Sequence, residues 1–172
     1  MTRVEHKSAL TGGRDDWGTP KPFLEQIEKH YGKITIDLAA SYDNKVCEQF
    51  VSEKDDFLVF DTSHIKGLGF LNPPYSKCQS FIRRAYTTAR EDFPIVCLVP
   101  ARTDTAWFHE AAHFAVEIGF LKGRLKFVGA EAGAPFPSLT LLFGGKGVIG
   151  FFNIGGHPNF FPWHLTPKER GF

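Results

Sequence analysis

The chain has 172 residues, a formal net charge of +1 and 42% hydrophobic residues, which suits a soluble protein with one sizeable core. Its three cysteines form no C-x-x-C pair, and this excludes a disulfide framework and a cysteine-based zinc ribbon. No apolar run approaches the roughly 18 residues that span a bilayer, and the N-terminus lacks an apolar signal core. We therefore expect a cytoplasmic protein with no membrane partner.

The first half of the chain predicts a flexible lead, a helix and two strands. Residues 1–14 form the lead, and Phe23, Leu24 and Ile27 lie on one face of a helix. Prolines in the first turn and Gly32 at the end mark the limits of that helix. The following runs are KITIDLAA (33–40) as a strand, NKVCEQF (44–50) as a short helix, DDFLVF (55–60) as an apolar segment, and GLGFL (67–71) as a strand.

The second half continues the alternation of helices and strands. Ser76 is a candidate N-cap for one helix and Asp104 for another. The predicted elements are a helix at 76–93, a buried strand at 94–100, a helix at 104–114, strands at 115–121, 137–145 and 147–154, and an irregular aromatic tail. This alternation predicts an α/β fold with three layers, in which ligands bind at the carboxyl ends of the parallel strands.

Two segments lie at such strand ends, DLAAS (37–41) and NPPYS (72–76). Pro73 holds Asn72 extended, and Pro73 and Pro74 remove two backbone donors, so the loop presents acceptors with few N–H groups beside them. The Asn72 amide adds an uncharged acceptor. A rigid pair of neutral acceptors, a loop carbonyl and the Asn72 amide oxygen, suits the two N–H bonds of an exocyclic nucleobase amine. The Tyr75 ring offers a face on which a base can stack, worth roughly 1–3 kcal/mol.

Accepting both N–H bonds of an adenine amine would localise electron density on its nitrogen and make it a better nucleophile. These hydrogen bonds strengthen as positive charge develops in the transition state. The base must leave the duplex to reach the loop. The alternative is that NPPY is simply a stiff loop that ends a strand.

With these motifs in this order, the chain resembles the phage-type DNA N6-adenine methyltransferases (the phage Dam family), a branch of the class I fold that uses S-adenosylmethionine. The segments that carry the resemblance are WGTP (17–20), DLAAS, DDFL (55–58), NPPY, LVPARTDTAWF (98–108), GRLKF (123–127) and PFPSLTLLF (135–143). The resemblance implies a Rossmann-like, mixed but mostly parallel sheet of about seven strands. It also implies a methyltransferase domain at 15–155, followed by the tail at 156–172.

The resemblance further implies a site-specific enzyme that moves a methyl group from S-adenosylmethionine to the N6 of adenine in double-stranded DNA. It implies a phage or prophage origin, a place in the bacterial host cytoplasm, and protection against restriction. The catalytic residues would be Asn72, Pro73, Pro74 and Tyr75. The cofactor site would comprise Trp17, Thr19, Pro20, Asp37, Ala39, Ala40, Asp56, Phe57 and Asn72.

The sequence departs from the usual pattern of this fold in two ways. The glycine-rich loop after the first strand is absent, with Ala39 and Ala40 in its place. The acid that would hold the ribose has only Glu48 and Glu53 as candidates. No inserted target-recognition domain is present, so readout of the DNA sequence falls to loops or a partner subunit. The oligomeric state and the recognition sequence are left open.

Basic residues near these segments are candidates for contacts with DNA phosphates. Ser76, Lys77, Arg102 and Arg124 are the DNA-binding candidates, with Arg102 preferred because it follows a strand end. The remaining cations are interpreted as solvated faces, and they include Arg83, Arg84, Lys122 and Lys126. The tail aromatics Phe160, Phe161 and Trp163 either clamp DNA or pack on the body.

A rival from another class is the string HEAAH (109–113), which matches the zinc-protease pattern H-E-x-x-H. On a helix, His109 and His113 would share a face and Glu110 would act as a base. The Ala-rich context and the lack of a third ligand favour a chance match, so no metal is expected. Within the methyltransferase class, N4 of cytosine, RNA and protein glutamine remain alternative acceptors, and a non-enzymatic DNA-binding remnant is a further one.

Overall fold

The computed structural model describes residues 17–145 in full and the backbone of 150–153 and 161–162. The predicted lead at 1–14 and most of the tail, with Phe160 and Trp163, lie outside the described residues. The elements are α1 (Lys21–Tyr31), β1 (Ile34–Asp37), β2 (Leu68–Leu71), a 3₁₀ turn (Tyr75–Lys77), α2 (Cys78–Thr88), β3 (Ile95–Pro100), α3 (Ala106–Phe114), β4 (Glu117–Phe120), β5 (Ser138–Phe143), β6 (Gly150–Asn153) and β7 (Phe161–Pro162).

These strands form one mixed sheet in the order β1-β2-β3-β5-β4-β6-β7. The strands β1, β2 and β3 run parallel, as do β4 and β6, whereas β5 runs antiparallel to both of its neighbours and β7 to β6. The prediction of a mostly parallel sheet therefore holds for one end only. At the other end the sheet is mixed: β5 is antiparallel to β4, because these two strands follow each other without the crossover helix that parallel pairing requires, whereas β4 and β6 are parallel.

Helices cover both faces of the sheet, which confirms the α/β architecture in three layers. On one face, Phe23 and Ile27 of α1 pack in a core with Phe70 of β2 and Leu98 of β3. On the other face, α2 and α3 bury residues such as Ile82 and Ala111 against the opposite side of the same strands. The strands β2, β3 and β5 are buried along their whole length, so the carboxyl end of β2 is held rigidly.

The limits of α1 match the sequence prediction. Pro20 is the N-cap, Pro22 lies in the first turn, and Gly32 ends the helix with a φ of 95°. Side chains are strained at such a positive φ, so glycine suits that position.

Three local predictions were wrong. Residues 44–50 form turns and bends rather than a helix, because the Asp37 carboxylate binds the Val46 N–H and the Asp37 backbone pairs with Gln49 and Val51. Ser76 lies within the 3₁₀ turn, and the N-cap of α2 is Lys77. The N-cap of α3 is Thr105 rather than Asp104.

Across the part of the chain that the structure describes, none of the helices has the length and apolarity needed to span a bilayer.

Candidate active site

The NPPY loop begins where β2 leaves the core. The four residues of β2 are fully buried, Pro73 is buried, and Asn72, Pro74 and Tyr75 are half-buried. The carbonyl of Pro74 accepts the N–H of Lys77 at 2.9 Å and so starts the 3₁₀ turn that leads into α2. A buried strand on one side and a helix on the other therefore hold this loop in place.

The Asn72 side chain is anchored through its NH₂ group. Nδ2 donates to the backbone oxygen of Trp17 at 2.8 Å and lies 3.3 Å from Oγ1 of Thr19. Since a carbonyl oxygen cannot donate, the atom that faces Trp17 must be the nitrogen, and this sets the orientation of the amide. The other atom, Oδ1, is buried and has no hydrogen-bond partner among the described residues.

An unpaired buried oxygen of this kind is unusual, because leaving a buried polar atom unsatisfied costs about 1–3 kcal/mol. Asn72 Oδ1 is thus a free, uncharged acceptor at the carboxyl end of a parallel strand, where α/β folds bind their ligands. Asn72 therefore carries one buried acceptor that is available to a donor group.

The Tyr75 ring lies within an aromatic cluster that also connects to Trp17. Its centroid is 5.2 Å from that of Phe136 and 6.4 Å from that of Phe127, with edge-on geometry in both cases. Phe127 in turn lies 5.7 Å from Trp17. Such edge-on contacts hold the ring in position. The two phenylalanines were missed as site residues, although GRLKF and PFPSLTLLF both belong to the resemblance.

Asp37 ends β1, next to β2, where its register partner is Phe70. The side chain is buried, with Oδ1 accepting the N–H of Ala39 at 3.2 Å and Oδ2 that of Val46 at 3.1 Å. Burial raises the pKa of this carboxyl to about 6, although the two backbone hydrogen bonds oppose the rise. Asp37 thus shapes the loop that follows β1, and the Val46 contact was not foreseen.

The amides of that loop are engaged within the protein. Ala39 N–H binds Asp37, Ala40 N–H binds the Val51 oxygen at 3.1 Å, and Ser41 N–H binds Asn44 Oδ1 at 2.6 Å. A glycine-rich loop would offer free N–H groups to a ligand. Here Ala39 and Ala40 instead present small, half-buried surfaces at the strand end.

Segment 55–60 is attached to α2 instead of to the NPPY loop. Arg84 donates from Nε to the Phe57 oxygen at 3.3 Å and from Nη2 to the Phe60 oxygen at 2.8 Å. The ring of Phe57 is 1% exposed and lies 6.0 Å from Phe81. Asp56 is exposed and adopts a φ of 49°. The structure therefore shows a core position for Phe57 and a surface position for Asp56.

The structure brings together Trp17, Thr19 and Asn72, with Pro20 next in sequence as the cap of α1. The DNA-binding candidates Ser76, Lys77, Arg102 and Arg124 are all exposed. Ser76 and Lys77 adjoin Tyr75 in the 3₁₀ turn, and Arg102 follows the carboxyl end of β3. Arg124 and Pro20 line one cavity of about 180 Å³.

The HEAAH string has a structural role on α3. Glu110 forms an ion pair with Arg83 of α2 at 2.7 Å and accepts the hydroxyl of Tyr86 at 2.6 Å. One ring nitrogen of His109 lies 2.9 Å from the Thr103 oxygen. Within the described ranges, no three His, Cys, Asp or Glu side chains are placed to hold a metal ion. Helix packing therefore explains this string.

A mixed sheet with helices on both faces, and an anchored NPPY loop at the end of a parallel strand, define an α/β protein with a candidate ligand site at the carboxyl end of β2. The family model described as DNA N-6-adenine-methyltransferase (Dam) matches residues 7–138, and the chain belongs to this family. It is also similar to the DNA N-6-adenine-methyltransferase of Escherichia phage T1, with 36% identity over 135 residues. That match covers 70% of this chain and 56% of the relative, so the chain spans just over half of the relative's length.

Proposed function

We propose that this chain transfers a methyl group from S-adenosylmethionine to the N6 amine of adenine in double-stranded DNA, after the base has flipped out of the duplex. Residues 15–155 would act as one catalytic domain. Family membership and the name of the phage T1 relative support the reaction. The observation that carries the proposal is the buried Asn72 Oδ1, which has no acceptor role elsewhere in the described structure.

The neighbouring carboxyl ends of the parallel strands β1 and β2 support a cofactor site, because α/β folds bind their ligands in the crevice at such strand ends. Trp17, Thr19, Pro20, Asp37, Ala39, Ala40, Asp56 and Asn72 would hold S-adenosylmethionine, and Phe57, whose ring is buried in the core, would support the segment that carries Asp56. When bound, this cofactor supplies an electrophilic methyl group on a sulfonium. Since the amides of Ala39 and Ala40 are already engaged, these residues would contribute shape rather than hydrogen bonds.

The NPPY loop would activate the amine. Asn72 Oδ1 and the Pro73 carbonyl accept one N–H each, and the Asn72 NH₂ group stays bound to Trp17 and Thr19. The acceptor cannot rotate away, because that rotation would place Oδ1 against the carbonyl oxygen of Trp17. Preorganisation of this kind lowers the barrier as positive charge develops on the nitrogen. Pro74 stiffens the turn, and Tyr75 stacks on the base.

Ser76, Lys77, Arg102 and Arg124 would hold the DNA backbone around the flipped base. They are exposed and polar or basic, and the first two directly follow the base-stacking Tyr75. Contacts to phosphates fix the position of a protein on DNA without reading its sequence.

The test is transfer of labelled methyl from S-adenosylmethionine to unmethylated duplex DNA, with the digested nucleosides separated afterwards. We expect label in N6-methyladenine, reduced by orders of magnitude in Asn72→Ala, while that variant still binds the cofactor. Label in N4-methylcytosine would retain the mechanism and change the base. If DNA takes up no label although the cofactor binds, the proposed substrate is wrong, and RNA and protein acceptors would be tested next.

A further inference from the structure

The segment Arg124–Val128 alternates between buried and exposed side chains. Phe127 is buried and Leu125 is half-buried, whereas Arg124, Lys126 and Val128 are exposed. Alternation with a period of two is the behaviour of an extended chain. We call the three exposed side chains the outward edge.

The outward edge is held firmly against the candidate active site. The inward ring of Phe127 contacts the rings of Trp17 and Tyr75. The Val128 N–H donates to the Gly18 oxygen at 2.9 Å, and the Ala134 N–H to the Leu125 oxygen at 2.8 Å. These contacts place the outward edge beside the residue that would stack on a flipped base.

Gly18 has a specific role in this arrangement. A Cβ atom at Gly18 would lie 3.1 Å from Cβ of Val128, so the absence of a side chain lets the two segments pair closely. The glycine of WGTP therefore positions Val128, and it leaves this valine 58% exposed.

The chemistry of the outward edge suits DNA. The loop between β4 and β5 carries Lys122, Arg124 and Lys126 against one acid, Glu131, which gives it a net charge of about +2 by the usual charges at pH 7. An exposed apolar side chain on the same edge as two cations resembles the surfaces that bind the backbone and insert an apolar group between bases. Charge complementarity thus selects a nucleic acid as the occupant of this surface.

We propose that the outward edge is the part of the protein that enters the DNA duplex beside the target adenine. Arg124 and Lys126 hold the flanking phosphates, and Val128 contacts the base step from which the adenine leaves. This inference rests on the proposed function and adds Lys126 and Val128 to its DNA contacts. Val128 would help to open the duplex at that step and would take no part in activating the amine.

The salt dependence of DNA binding tests the two cations. Each neutralised phosphate contributes about 0.9 to the slope of log K against log salt. Lys126→Gln should therefore lower that slope by about 1, and Arg124→Gln with Lys126→Gln by about 2. The matched control is Lys33→Gln, an exposed lysine before β1 at the opposite end of the strands. Equal slopes for Lys126→Gln and Lys33→Gln would overturn the inference.

A comparison of double-stranded with single-stranded substrate tests Val128. In Val128→Thr the shape is kept and the apolar contact is lost, so methylation of unmethylated plasmid DNA should slow by roughly three- to tenfold. Methylation of the same DNA after heat denaturation should be unchanged, because a single strand does not need to be opened. A ratio of the two rates equal to that of the wild-type protein would overturn the role of Val128.

The two proposals fail in different ways. If the wild-type chain transfers no label to DNA of either form, the proposed function is wrong and the inference falls with it. Suppose instead that the wild-type chain methylates DNA. If the variants then match it in the salt slope of DNA binding and in the ratio of the methylation rates on double-stranded and single-stranded DNA, the inference alone is wrong.

Discussion

The amide nitrogen of Asn72 donates to the backbone oxygen of Trp17 at 2.8 Å, across 55 positions of sequence. This contact joins the loop after β2 to the segment that precedes α1. It also leaves Oδ1 as the atom that faces away from the anchor. The WGTP and NPPY segments therefore meet through one side chain, and the anchor can be tested separately from the acceptor.

Asn72→Asp retains the acceptor and destroys the anchor. The carboxylate has no N–H to offer Trp17, so its oxygen would face a carbonyl oxygen at hydrogen-bond distance. We expect the turnover number for DNA methylation to fall by at least about 100-fold, the cost of about 3 kcal/mol in transition-state stabilisation. Steady-state kinetics with labelled cofactor measures this change.

Thr19→Val is the matched control for that variant. It removes the longer contact, 3.3 Å from Nδ2, keeps nearly the same volume at a buried position, and leaves the Trp17 bond in place. Turnover should fall only a few-fold, by about the value of one neutral hydrogen bond. Equal losses in Asn72→Asp and Thr19→Val would contradict the assignment of Trp17 as the main anchor.

Asp37 should make the stability of the protein depend on pH. Burial raises the pKa of its carboxyl to about 6 from a usual value of 3.8. Between about pH 4 and pH 6 the folded protein therefore binds a proton that the unfolded chain has released. The free energy of unfolding contributed by this group accordingly falls as pH rises through that window.

Asp37→Asn removes that dependence. The free energy of unfolding of the wild type minus that of the variant should be larger at pH 4 than at pH 7, by on the order of 2–3 kcal/mol. Denaturant unfolding at both pH values measures it, with the exposed Asp43→Asn in the same loop as control. A difference that stays constant with pH would show that Asp37 does not titrate in this window.

Much of the fold followed from patterns that local physics controls. The Pro20–Gly32 limits of α1, the run of β3 and the apolar stripe of α2 are decided by backbone chemistry and by burial of one face. The stretch 44–50 was wrongly predicted because its conformation is imposed by a residue outside it, Asp37. The backbone and the carboxylate of Asp37 bind it, and no helical periodicity could show that.

The candidate site likewise contains residues that the sequence predicted and residues that it did not. Motif order predicted Trp17, Thr19 and Asn72, which the structure brings into contact. Phe127 and Phe136 were missed because a phenylalanine in sequence is more often core than site, and their role depends on where the long loop after β4 folds back. The antiparallel direction of β5 was also missed, because the residue pattern of a strand does not show which way the strand runs in the sheet.

Arg84 should influence cofactor affinity without touching the NPPY loop. Its two hydrogen bonds hold the backbone of Phe57 and Phe60, in the segment expected to meet the cofactor. Arg84→Gln should raise the dissociation constant of S-adenosylmethionine by roughly three- to tenfold, since one or two hydrogen bonds from a charged donor are lost. Isothermal titration calorimetry measures the change.

The neighbouring Arg83 offers a matched control on the same helix. It pairs with Glu110 of α3 and not with segment 55–60, so Arg83→Gln should leave the affinity unchanged. If both variants bind the cofactor like the wild type, segment 55–60 has no part in cofactor binding.

Tyr31 and Glu117 lock the end of α1 to the start of β4. The Tyr31 hydroxyl donates to Oε1 of Glu117 at 2.6 Å, and one ring nitrogen of His30 lies 3.5 Å from the same oxygen. Glu117 is 4% exposed. Burial and the nearby carboxylate hold the pKa of Tyr31 far above its usual range, so the hydroxyl stays protonated and keeps donating at any pH at which the protein is handled.

Tyr31→Phe should therefore lower the free energy of unfolding by about 1–3 kcal/mol, because a buried carboxylate loses its shortest hydrogen bond. Tyr42→Phe is the control, since Tyr42 is 81% exposed and its loss should change stability by less than about 0.5 kcal/mol. Adding Glu117→Gln to Tyr31→Phe should restore part of the loss, because a buried amide that lacks the tyrosine hydroxyl costs less than a buried carboxylate that lacks it. If Tyr31→Phe and Tyr42→Phe have equal free energies of unfolding in denaturant, the hydrogen bond between Tyr31 and Glu117 contributes nothing to stability.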